Sequence, residues 1–178
     1  MRLLFEIDTK DYNKNGTAFM RPSVRGIIIK NGKIAMIYSK KYNYYKFAGG
    51  GIEPGESHAD ALIREIKEET GFSVIPQSIK EYGYVHRVQK GIDEDMFIQD
   101  NYYYFCDVED EIGEQDLDDY ENYEQFTPEY VTPYHAINVN QNENHGGKSN
   151  SKRFCVILER ESQVLQLLAD EILNNDTQ

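Results

Sequence analysis

Glu65, Glu68 and Glu69 fall at spacing i, i+3 and i+4 within residues 57–70, a stretch that reads as a helix. At about 100° per residue they share one helical face, and Ala59, Leu62, Ile63 and Ile66 form a neighbouring apolar face. The helix would therefore be anchored on one side and present three carboxylates on another. Carboxylates clustered in this way repel one another, and a hard divalent ion such as Mg²⁺, suited to oxygen ligands and substrate phosphates, would offset that cost. Upstream, Gly49-Gly50-Gly51 frees the backbone, and Glu53-Pro54-Gly55-Glu56 is a β-turn sequence that folds this segment back over the helix start. That puts the Gly49 carbonyl within reach of a metal and Glu56 near the cluster. Three glutamates on one helix are usually a solvated face, and glycines before a helix usually a turn, so the joint spacing carries the information.

That joint spacing resembles the Nudix box. From Gly50 to Phe72 the chain matches all nine defined positions, namely Gly50, Glu56, Arg64, Glu65, the aliphatic Ile66, Glu68, Glu69, Gly71 and Phe72. The resemblance implies an α/β (α+β) Nudix fold, with a curved mixed β-sheet sandwiched between helices and a loop–helix–loop catalytic motif. It implies a metal-dependent hydrolase that cleaves a pyrophosphate bond in a nucleoside diphosphate linked to another moiety. Glu65, Glu68 and Glu69 would bind Mg²⁺ or Mn²⁺, with Gly49 and Glu56 as further ligands. Arg64 would orient a box glutamate, and Gly50 and Gly51 are expected to contact the substrate. Ala48 stands where many members carry proline, which touches loop rigidity and not the ligands.

Such enzymes often recruit a further glutamate from a loop beyond the box. Glu124, ahead of Phe126–Val131, is the expected residue, with Glu129 second and an ordinary solvated acid the competing reading. Three weaker signals accompany it. Gly146-Gly147-Lys148-Ser149 lacks the first glycine of a phosphate-binding loop, yet Lys148 can still reach a phosphate. His86 and Arg87 lie in a strand and could face the substrate, although each is more often structural or exposed. Tyr102-Tyr103-Tyr104-Phe105 offers rings for a base, but alternation in a strand directs only half of them one way. Around Arg87 and Val88 neither the proline that accompanies ADP-ribose hydrolysis nor the tyrosine that accompanies dinucleoside polyphosphate hydrolysis is found. A nucleoside triphosphate or small nucleotide derivative is then the default substrate. An ADP-ribose or nucleotide-sugar pyrophosphatase is the alternative, and a non-catalytic nucleotide-binding module the rival from another class.

The elements that must position these residues are mostly legible. Leu3 to Ile7 reads as a strand, and Val24 to Lys30 with Lys33 to Ser39 as a hairpin around Asn31-Gly32. Tyr44 to Ala48, Ile79 to Gln89 and Met96 to Val108 are further strands. Ser57 caps the helix, with Asp60 completing a capping-box pattern, and Gly71 ends it. Asp107 to Glu124 holds ten acidic residues and no basic one and is expected to be solvated loop. Thr132-Pro133 starts a short helix, and Asn138 to Ser151 should be loop. Phe154, Ile157, Leu158, Leu165, Leu168 and Ile172 recur at helical spacing and predict a final amphipathic helix laid on a sheet.

Composition bounds the rest. With 178 residues and 39% apolar residues, one domain spanning 1–178 with a sizeable core is expected. A net charge of -12 argues against a broad nucleic-acid surface but not against a small phosphorylated substrate held through a cation. No apolar run approaches the roughly 20 residues of a membrane span. Met1 to Ile7 is too weak for a signal peptide, and Cys106 and Cys155 lack metal-binding spacing, so a cytoplasmic chain with reduced thiols is expected. The resemblance leaves a homodimer open.

Overall fold

A computed structural model describes residues 1–175, with side chains as far as 171. The chain begins with β1 (Leu3–Asp8), β2 (Ala18–Met20), β3 (Ser23–Ile27), β4 (Ile29–Lys30), β5 (Lys33–Ser39) and β6 (Tyr44–Lys46). It continues through α1 (His58–Thr70), β7 (Phe72–Val74), β8 (Lys80–Lys90), β9 (Met96–Phe105) and β10 (Val108–Ile112). The remaining elements are α2 (Asp119–Glu124), β11 (Phe126–Val131), α3 (Pro133–Asn142) and α4 (Lys152–Asn175), with 3-10 turns at Pro76–Ser78 and Gly146–Asn150.

β8 and β9 form a long antiparallel pair that is the spine of a mixed sheet. β1 adds in parallel to the free edge of β8, and β2 and β3 add in parallel along β9. A second sheet is built on β5, which pairs with β11 on one side and with β4 and then β6 on the other. The hairpin expected at Asn31-Gly32 is present, with φ of 53° and 71° at its two central residues. Its first strand is split at Ile28, however: β3 serves the mixed sheet and β4 the second one.

Alternation along β5 places Ile34 and Met36 in one core and Ala35 and Ile37 in the other. α1 closes the first core with Ala61, Leu62 and Ile66, all fully buried. α3 and α4 close the second with Ala136, Val139, Val164, Leu165 and Leu168. Each fully buried Leu or Ile contributes roughly 1.5–3 kcal/mol relative to exposure. The result is the expected mixed sheet between helical layers. The Ile172 position of the expected final helix lies outside the described side chains.

Two loop expectations need correction. Residues 107–124 are not a free acidic loop: Val108–Ile112 pairs with β7, and Asp118 caps α2 in a reciprocal capping box with Glu121. Most of the acids there stay exposed, while Asp118 and Glu121 accept backbone amides and Glu121 and Glu124 are buried. Residues 138–142 continue α3, where Asn140 is buried and bonds both the amide and the carbonyl of Tyr45 (2.7 and 2.9 Å). Polar composition there reflects a specific cross-link to β6, which a polarity argument cannot distinguish from loop.

Candidate active site

The α1 helix is fixed at both ends by local chemistry. The Ser57 hydroxyl accepts from the Asp60 amide (3.1 Å), and Gly71, at φ 75°, returns its amide to Lys67 O. Its apolar face packs directly onto β3: a Cβ on Gly26 would meet Ile66 Cδ1 at 2.5 Å, so the Ile66 side chain uses the space the glycine leaves. The Phe47–Ile52 segment returns along β3, with the Gly26 and Val24 amides bonded to Ala48 O and Gly50 O (2.9 and 3.0 Å). A Cβ on Gly50 would lie 2.2 Å from Glu65 Oε2, so the glycine run and the box carboxylates are pressed together.

Arg64 organises this junction. Its Nε and Nη2 donate to the two oxygens of Glu56 (2.9 Å each), and Nη2 also reaches Gly51 O (3.1 Å). Its Nη1 donates to Glu65 Oε1 (2.8 Å) and Glu68 Oε2 (3.2 Å). Such bidentate, charge-assisted contacts hold planar groups in one orientation. They hold the Arg64 pKa above its ordinary range and lower that of Glu56. Burial pushes the Glu65 carboxyl up, opposed by the hydrogen bond from Arg64 and reinforced by Glu69.

Glu69 departs from the expectation of an exposed carboxylate. It is 2% exposed, and it accepts from Lys46 Nζ (2.5 Å) and from the Gly49 amide (2.8 Å). Burial lowers the Lys46 pKa, but the charge and hydrogen bond of Glu69 together with the nearby Tyr120 outweigh it, and the net shift is upward.

A cavity of about 500 Å³ opens over this face of α1. Glu65, Glu68, Glu69, Asp116, Asp118 and Glu121 line it, against two guanidinium groups, Arg21 and Arg64. The second wall is the acidic segment, docked on the end of α1 by the Asp116 amide to Glu68 O (2.8 Å) and Gln115 Nε2 to Glu69 O (2.5 Å). Glu121, which sequence reasoning missed, projects from α2 towards Glu69. Burial first, and then the Glu69 charge, push its carboxyl up to about 7. The Asp118-x-x-Glu121 capping-box spacing was the signal that a helix stood here.

The chain's other expected site residues lie elsewhere. Glu124 is one turn further along α2 and points away from the box carboxylates. It bonds Ser39 Oγ (3.1 Å) and Tyr44 Oη (2.9 Å) and pairs with Lys148. Glu129 accepts from Tyr45 Oη (2.9 Å). Glu56 is occupied by Arg64, and neither Glu56 nor Gly49 lines the cavity, whereas Gly50 and Gly51 do. Among the described residues no group of three or more His, Cys, Asp or Glu converges to hold a metal ion; Arg64 engages Glu65 and Glu68, and Lys46 engages Glu69. The donor set is nonetheless all oxygen with a surplus of negative charge, which suits a hard divalent cation.

A family model of the NUDIX domain matches residues 20–145. The chain belongs to the NUDIX family. The match reaches from the residue before Arg21 to His145, so it takes in β3 to β11, α1 and the cavity as well as the box. An RNA pyrophosphohydrolase of Pasteurella multocida is 42% identical over 62 residues, 34% of this chain and 30% of that protein. A CTP pyrophosphohydrolase of Escherichia coli is 38% identical over 68 residues, 36% of this chain and 48% of that protein. This NUDIX chain thus spans less than half the length of those curated relatives. The crystal structure of a MutT NUDIX hydrolase from Burkholderia pseudomallei covers 79% of this chain and 97% of its own, with TM-score 0.52 and 14% identity, a likeness of fold.

Proposed function

We propose that this NUDIX chain hydrolyses a pyrophosphate link in a nucleoside diphosphate derivative, with a divalent cation at the α1 face. The carrying observation is the cavity in which Glu65, Glu68 and Glu69 face Glu121, with Arg64 fixing two of the box carboxylates. A bound Mg²⁺ or Mn²⁺ would neutralise charge on the phosphoryl oxygens and make water more acidic. Glu65, Glu68 and Glu69 are the residues that would hold it. Arg64 keeps Glu65 and Glu68 in place before substrate arrives, so less reorganisation is needed in the reaction. Arg21, at the cavity wall beside Gly51, is positioned to meet an anionic oxygen. Glu121 is placed to exchange a proton with water entering the cavity, since its pKa of about 7 suits either protonation state near neutrality.

The substrate is a nucleoside triphosphate or a small nucleotide derivative, in a single domain that includes β1 and α4. The activities for which the two relatives are named, on RNA and on CTP, share pyrophosphate hydrolysis and differ in the group attached. Among the described residues no helix is long and apolar enough to cross a membrane. Turnover of a nucleotide panel in Mg²⁺, with products identified by mass spectrometry, tests the reading. Hydrolysis is expected to stop on exhaustive chelation and to return with added Mg²⁺. Turnover that survives chelation removes the metal from the mechanism, and nucleotide binding with no turnover in Mg²⁺ favours the regulatory module.

The contrast between the two α2 glutamates gives a second test. Glu121→Gln is expected to lower kcat by roughly 10²–10⁴-fold with little change in KM, the size of a general acid–base contribution. Glu124→Gln, on a carboxylate outside the cavity, should leave kcat within a fewfold of wild type. If Glu124→Gln is the slow variant, α2 is rotated in the active enzyme and the assignment reverses.

A further inference from the structure

On the other side of the Lys46–Glu69 pair lies a second cavity, of about 240 Å³, of opposite character. Arg21, Arg25, Lys46, Arg87, Lys148, Arg153 and Arg160 contribute to its wall, with Glu124 the one acid. Arg25 and Arg87 come from β3 and β8. Their β9 register partners are Tyr103 and Gln99, which puts both arginines on the sheet face that α4 covers. Arg153 and Arg160 come from α4 itself, and Lys148 from the turn before it.

Several of these charges are already balanced. Lys46 pairs with Glu69, Lys148 with Glu124, and Arg160 with Glu161 while donating to Asn101 Oδ1 (2.6 Å). Arg21, Arg25, Arg87 and Arg153 have no carboxylate partner among the described residues. Arg87 is 2% exposed, and its Nε and Nη1 are buried without a hydrogen-bond partner, as are those of Arg25. The Arg87 and Arg153 guanidinium groups both lie over the Phe97 ring (4.9 and 4.6 Å), which fixes them without neutralising them. Burial first, and then Arg160, Arg153 and Arg25, pull the Arg87 pKa down to about 8. Buried charges are ordinarily paired, so these donors lack a counter-anion.

We infer that this cavity is a phosphate-binding site, in which a phosphoryl dianion accepts hydrogen bonds from Arg87 and Arg25. Several uncompensated guanidinium groups converging from two strands and a helix exceed what one carboxylate needs. Their forked donors match phosphate geometry. The cavity is too small for a nucleic-acid groove, and the net charge of -12 opposes one. The phosphoryl group is either a second one on the substrate, reaching past Lys46 from the acidic cavity, or free phosphate. The substrate source rests on the hydrolase reading above, whereas the site itself does not.

Calorimetric titration of inorganic phosphate into metal-free protein tests the site without requiring turnover, so a protein that binds phosphate but hydrolyses nothing would sink only the hydrolase reading. Wild type is expected to bind, and Arg87→Met and Arg25→Met each to weaken binding at least about tenfold, the effect of one charged hydrogen bond. The melting temperature of phosphate-free Arg87→Met should not fall, because an uncompensated buried charge has been removed. No phosphate binding by wild type overturns the inference. So does an Arg87→Met variant that binds phosphate like wild type and melts lower, which marks Arg87 as structural. The source is read from metal-free titrations of NAD against NADP and of dephospho-coenzyme A against coenzyme A, pairs that differ by one phosphate monoester. Tighter binding of the phosphorylated member that vanishes in Arg87→Met makes the group substrate-borne. Equal binding within both pairs, with inorganic phosphate still bound, makes it free phosphate.

Discussion

Glu68→Gln is expected to fold normally and lose at least about 10²-fold in kcat. The side chain is 39% exposed in the cavity and is bonded by Arg64 Nη1 at 3.2 Å, so little packing depends on its charge. In the proposed reaction the same carboxylate helps hold the cation. A Lewis-acid cation supplies several kcal/mol of charge stabilisation in the transition state, and about 2.7 kcal/mol already corresponds to a hundredfold. The loss should be partly relieved by raising Mg²⁺ if weakened metal binding is the cause. Steady-state kinetics across a Mg²⁺ series, with circular dichroism to confirm the fold, measures this. Near-wild-type turnover at limiting Mg²⁺ removes Glu68 from the site.

Lys46→Met is expected to destabilise the fold strongly, and for a reason separate from chemistry. Lys46 and Glu69 are 11% and 2% exposed and bonded at 2.5 Å. Removing the cation strands a buried carboxylate beside Glu121, and breaking one side of a buried pair costs about 3–5 kcal/mol. For a chain of this size that corresponds to a fall in Tm of roughly 6–20 °C. Replacing both partners, as Lys46→Met with Glu69→Leu, should recover a large part of the loss, since no charge is then left unpaired. Glu69→Gln, which removes the other charge, should itself lower Tm and so is a poor probe of catalysis alone. Thermal melts of the three variants and the wild type test the pair. A drop below about 2 °C for Lys46→Met would show that the two charges are not coupled.

Some features of this chain were set by residues close together in the sequence. The α1 helix, its Ser57 cap and its Gly71 end follow from the local pattern, as does the turn at Asn31-Gly32, because each depends on backbone geometry over a few residues. The shared face of Glu65, Glu68 and Glu69 and the run from Gly50 to Phe72 are local too, and that run was enough to bring the Nudix resemblance into view. The tertiary structure alone decided which charges meet. Glu121 and Glu124 sit three residues apart in the same acidic run, and the rotation of a six-residue helix sends one to the box and the other to Lys148. Glu124 meets Ser39 of β5, Tyr44 of β6 and Lys148 of the turn before α4, partners that no local pattern encodes. Lys46 and Glu69 are 23 positions apart, and Arg25, Arg87 and Arg153 lie on three separate elements. Sequence offered Arg87 as a residue that could face the substrate and Lys148 as one that could reach a phosphate, but not their meeting in one cavity, because a residue's type does not reveal its partners. Burial becomes informative only once strand register and helix docking determine which counter-charges can reach it.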